Sequence, residues 1–123
     1  MNLKISITEK PTKTFVINEF EDDKYEYRHK YRDFKYHLII KKGNLTLIDT
    51  ILTKKNFVKN TEEKFLEIAR FYGYWFNKIE NNKIELFGII SKPETDYSYA
   101  FKHYFDLKRL KFEIKTEIED EEI

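Results

Sequence analysis

Apolar and polar residues alternate along most of the first half of the chain, and that period of two predicts strands. Leu3, Ile5 and Ile7 mark a first strand and Phe15 and Ile17 a second, with Pro11 as the breaker between them. Residues 24–31 form a third, with Tyr25, Tyr27, His29 and Tyr31 on one face and Lys24, Arg28, Lys30 and Arg32 on the other, interrupted by Glu26. The apolar phase then moves from odd positions to Phe34, Tyr36, Leu38 and Ile40, which predicts a turn or bulge at Arg32–Asp33. Lys42-Gly43-Asn44 reads as a tight hairpin turn, and Leu45–Leu52 as the returning strand.

The spacing changes after that. Asn60 and Glu63 fit a capping box, and Phe65, Leu66, Ile68, Ala69 and Tyr72 recur at helical intervals, with Gly73 as the residue that ends the helix. A second hairpin, Tyr74–Glu80 and Lys83–Ile90, turns at Asn81-Asn82. Residues 96–107 fit two patterns. Tyr97, Ala100, Phe101, Tyr104 and Phe105 make a helical stripe, while Tyr97, Tyr99, Phe101, His103 and Phe105 alternate; the helix, capped at Thr95-Asp96, is preferred. Leu110, Phe112, Ile114 and Ile118 give a last strand. The expected class is α+β: an antiparallel sheet of about six to eight strands with one or two helices packed on one face. A single domain is expected over residues 1–116, with an acidic C-terminal tail at 117–123.

Composition narrows the chemistry. With no cysteine among 123 residues, disulfides, thiolate metal sites and thiol nucleophiles are excluded. Three scattered histidines, His29, His37 and His103, make no metal motif, so neither metal nor cofactor is expected. Arg32-x4-His37 has the spacing of a HEPN ribonuclease pair but falls across a turn and a strand rather than on a helix. Glu113-Ile114-Lys115 has the E-x-K form of a restriction-type nuclease core but lacks a well-placed aspartate partner. A non-enzymatic binding protein is the expectation. The start, MNLKISITEK, has neither a long apolar run nor a cleavage site, and no apolar stretch is long enough to span a bilayer. A cytoplasmic protein, monomer or homodimer, is expected from this.

Charge is uneven although the net is only +1. Lys24–Lys42 holds seven basic and two acidic residues, whereas Glu117, Glu119, Asp120, Glu121 and Glu122 stand without a base. The tail reads in three ways: a solubilising extension, a phosphate-like row of carboxylates for an arginine-lined groove, or a shield for the basic strands. The basic strand reads as the wet side of an ordinary strand, or as a nucleic-acid surface built on Arg28, Lys30, Arg32 and Lys35. Because rings and cations alternate, one strand cannot offer both on the same face, which favours the first. Five of the six residues Phe71–Phe76 are aromatic, and they cannot all face one core, so some of Tyr72, Tyr74 and Trp75 should be exposed as partner contacts.

Nineteen lysines against four arginines, and fifteen isoleucines against two valines, point to a GC-poor genome. With its small size and aromatic-rich character, the chain resembles the anti-defence proteins that phages and mobile elements of low-GC bacteria encode, the anti-CRISPR proteins foremost. The resemblance lies in the character of the whole chain, without a shared motif. It implies a stoichiometric inhibitor acting in the bacterial host cell on a host protein or nucleoprotein complex, namely a CRISPR effector nuclease. Its contacts would be Tyr72, Tyr74 and Trp75 with the carboxylates Glu117, Glu119, Asp120, Glu121 and Glu122, which could occupy arginines that read the target DNA.

Overall fold

The first two strands are longer than their patterns suggest, because a bulge carries β1 past Pro11 instead of ending it. A computed structural model describes residues 2–21, 24–57, 63–95 and 97–119. In it β1 (Leu3–Glu21) pairs antiparallel with β2 (Glu26–Lys42), with the register slipping between Pro11 and Phe15 opposite Asp33. Thr12 stabilises the slip: its hydroxyl donates to the Asp33 carbonyl at 3.1 Å and accepts from the Thr14 N–H at 3.1 Å. β3 (Leu45–Leu52) returns along Tyr36–Lys42 only, so the far half of β1–β2 continues as a two-stranded ribbon. Gly43, at φ 61°, makes the β2–β3 turn in the left-handed region that its missing Cβ allows.

A 3₁₀ turn, Lys54–Asn56, and a short helix, α1 (Glu63–Ile68), lead to the second sheet, a meander of β4 (Arg70–Glu80), β5 (Lys83–Ser91), β6 (Ser98–Asp106) and β7 (Lys111–Glu119). Asn81 and Asn82, both at positive φ, close β4 onto β5 as a two-residue hairpin. The two sheets, of three and four strands, meet over one core. Leu38 and Ile40 of β2 are fully buried there together with Phe71, Ile84, Leu86, Ile90, Phe101 and Phe105. Burying each such side chain contributes about 1.5–3 kcal/mol. Phe101 stacks on Phe57 at 4.2 Å between centroids, and its ring occupies the space where a Cβ on Gly88 would stand.

Several expectations are corrected. The fold is almost entirely β, in two antiparallel sheets, with no helix of seven or more residues among those described, so it is not α+β with helices on one face. The helix expected from residue 60 is confined to α1, since the aromatic run from Phe71 has strong strand preference and pairs with β5. Asn60, its proposed cap, lies outside the described residues, and Gly73 sits inside β4 rather than at a helix end. Residues 98–106 are strand. Phe101, His103 and Phe105 are buried on one face, and Ala100, also buried, stands on the other between Ile89 and Glu117 in the register. Ala100 and Tyr104, on the face away from those three residues, complete the helix-like stripe, although Ser98, Lys102 and Asp106 share that face.

Candidate binding site

β4 sets the site. A bulge between Phe71 and Gly73 leaves Tyr72 unmatched on β5, which re-aims the side chains around it. Phe71 and Tyr74 are buried in the core; Tyr72, 57% exposed, and Trp75, 43% exposed, turn outward. Gly73 lets the Trp75 ring lie back along the strand, as a Cβ there would stand 2.7 Å from Trp75 Cζ3. Across from them β1 and β2 supply Ile7, Glu9 and Tyr36, and together these residues line an open cleft of about 550 Å³.

The floor of the cleft is polar. Glu9 falls on the inward phase of Leu3, Ile5 and Ile7, and its carboxylate accepts a hydrogen bond from the Tyr36 hydroxyl at 2.8 Å. Burial, then the Glu9 hydrogen bond and charge, push the Tyr36 pKa far up, so this hydroxyl remains a donor. Beside it the Arg70 guanidinium lies 5.2 Å from the Tyr31 ring centre and 5.6 Å from that of Tyr72, with Nε buried and without a hydrogen-bond partner among the described residues. Two flanking contacts brace the wall. His29 Nδ1 is 2.7 Å from a Glu94 oxygen, to which the Tyr31 hydroxyl also donates. Asp33 Oδ1 accepts from the Phe71 N–H at 2.8 Å, while Oδ2 lies 3.4 Å from Lys54 Nζ, which in turn bonds the Leu66 and Ala69 carbonyls.

Of the aromatic contacts expected from sequence, Tyr72 and Trp75 rim the cleft. Tyr74 presents little surface, because its hydroxyl points inward to His103 Nδ1 at 2.7 Å. Burial lowers the His103 pKa to about 4 and raises that of Tyr74. Of the acidic group, Glu117 and Glu119 belong to β7, opposite Ala100 and Ser98, and Asp120, Glu121 and Glu122 lie outside the described residues. Arg28, Lys30, Arg32 and Lys35 all stand on β2, away from the cleft.

Sequence reasoning missed Glu9, Tyr36 and Arg70. Glu9 did leave a signal, a charged residue at the next inward position after three apolar ones. Among the described residues no group of three or more metal-ligating side chains converges, and no helix is long and apolar enough to cross a membrane. No curated protein matches the chain. Residues 1–107, which contain the whole cleft, match the family described as domain of unknown function DUF4738. The match spans most of the chain, which therefore belongs to the DUF4738 family.

Proposed function

We propose that the protein is a non-enzymatic binding protein that holds a segment of another protein in the cleft between β1–β2 and β4. The observation carrying this reading is the pair of exposed rings, Tyr72 and Trp75, set over a floor of Glu9 and Tyr36. Exposed Trp and Tyr beside a concave surface are where binding energy concentrates, since they bury much area at little entropic cost. One Glu9 oxygen takes the Tyr36 hydroxyl. The other can accept from an N–H or a cationic side chain of the partner. The narrower form, inhibition of a CRISPR effector nuclease, rests on the character of the chain, and the cleft adds no observation for that particular partner.

Trp75 is the one tryptophan, so its emission reports on the cleft directly. Peptides selected from a displayed random library against the full chain should shift Trp75 emission. They should also lose on the order of tenfold or more in affinity for Tyr72→Ala and Trp75→Ala, as a hot-spot ring does. If the selected peptides bind both variants as tightly as the parent, the cleft is not the binding site.

A further inference from the structure

The other face of β1–β2 is built against its own stability. Lys4 stands directly opposite Lys41, and Lys10 opposite Lys35. Like charges in register across a strand pair repel. Yet none of these four lysines makes an ion pair with a described residue. Past the bulge Phe15 and Ile17 oppose Arg32 and Lys30, and Glu19 opposes Arg28 with 3.9 Å between carboxylate and Nε. His29 and Tyr31 reach Glu94, and Arg70 lies over Tyr31, so that side of the ribbon faces the second sheet. Phe15, Lys30 and Arg32 therefore point the same way as Lys10 and Lys35, outward.

One further contact decides the chemistry. Arg32 Cζ lies 4.5 Å and Lys30 Nζ 5.5 Å from the centre of the Phe15 ring, which is 44% exposed. Within β2 rings and cations lie on opposite faces, but β1 brings a ring onto the cationic face from the neighbouring strand. The outer face thus carries seven cations, Lys4, Lys10, Arg28, Lys30, Arg32, Lys35 and Lys41, with the carboxylates of Glu19, of Asp49, held by His37 at 2.6 Å, and, at the far end of the ribbon, of Glu26, opposite Glu21 in the register.

We propose that this face binds single-stranded nucleic acid, with the backbone phosphates on the lysines and arginines and a base stacked on Phe15. The cations run along one strand pair rather than around a disc. Arg28 to Lys41 spans at most about 43 Å at ~3.3 Å per residue, enough for several phosphates. A duplex hides its base faces, whereas a single strand offers them to an exposed ring flanked by positive charge.

Fluorescence anisotropy of a labelled oligothymidylate of about 20 nucleotides, titrated with the full chain between about 50 and 200 mM salt, tests this. Binding should weaken with salt by about 0.7 log units per log salt for each phosphate contacted. Lys10→Gln with Lys35→Gln should make that slope shallower by about 1.4, and Lys4→Gln with Lys41→Gln should do the same. Phe15→Ala should cost about five- to a hundredfold at every salt without changing the slope, the signature of a lost stack. Thermal melting should find both double-lysine variants at least as stable as the parent, since each removes an opposed like-charge pair. The proposal is overturned by no binding at the lowest salt, or by binding that both double variants retain unchanged. Equal or tighter binding of a duplex of the same length also defeats it. So does binding to phosphatidylserine vesicles in place of the oligonucleotide, which would assign the face to lipid.

Discussion

The two sides of the β1–β2 pair follow opposite rules. Toward the second sheet, charged and polar side chains find complements: Asp33 meets Lys54 and the Phe71 N–H, Tyr36 meets Glu9, and Tyr31 and His29 meet Glu94. Away from it, lysine faces lysine, and Phe15 stays in solvent between two cations. A protein selected for stability alone would have no reason to keep the second arrangement, because one acid in place of one lysine would reverse its sign. The contrast separates the side that holds the fold from the side available to a partner.

The largest effect should come from the inner side. Asp33 and Lys54 are both largely buried, at 6% and 15% side-chain exposure. Asp33→Ala takes the counter-ion from Lys54, leaving it only the Leu66 and Ala69 carbonyls, and frees the Phe71 N–H, a loss of about 3–5 kcal/mol when one member of a buried pair is removed. Urea unfolding of the parent and the variant measures it. A loss below about 1 kcal/mol would mean that water replaces the carboxylate and that the inner side is not as closed as these contacts imply.

His103 gives a second test of the same side. In the folded protein its pKa is lowered to about 4 by burial, against 6.5 for an unburied histidine. Below pH 6.5 the unfolded chain takes up a proton that the folded one refuses, so stability falls as pH drops from 6.5 to about 4 and His103 contributes no further change below that. The shift corresponds to about 3 kcal/mol across that window. Chemical denaturation at a series of pH values checks it, with His103→Asn expected to flatten the profile. A parent profile already flat in that range would show that the histidine charges in place.

The sequence made some of this legible and hid the rest for physical reasons. β3 spans Leu45–Leu52 as its alternation indicated, and the two tight turns fall where Gly43-Asn44 and Asn81-Asn82 permit positive φ. The phase change near Asp33 is real: it marks the residue that turns inward to hold β4 and the bulge that β1 forms opposite it. β6 was obscured because Ala100 and Tyr104, on the face away from the core, join the core-facing rings in a false helical stripe that competes with the true alternation of Phe101, His103 and Phe105. Which strands hydrogen-bond is not written in any local period, and the division into two sheets was therefore invisible. The same holds for the site. Tyr72 and Trp75 announced themselves by crowding, whereas the Lys10–Lys35 and Lys4–Lys41 pairs exist only once the register is known.

The smallest effect comes from the same register. Lys35→Glu places an acid opposite Lys10 and converts a repulsive cross-strand pair into an attractive one. Pairs of this kind are worth about 0.2–1 kcal/mol. For a chain of this size a gain at the upper end raises the melting temperature by about 3–5 °C. The gain should shrink as salt is raised, since the two charges are close to solvent and are screened. Lys35→Gln should give part of the gain by removing the repulsion alone. On the inner side no change of charge at Asp33, Lys54 or Glu94 should stabilise, because each of these already has its complement. If Lys35→Glu instead lowers the melting temperature at low salt, Lys10 and Lys35 are not in opposition. The outer face would then follow the same rule as the inner one.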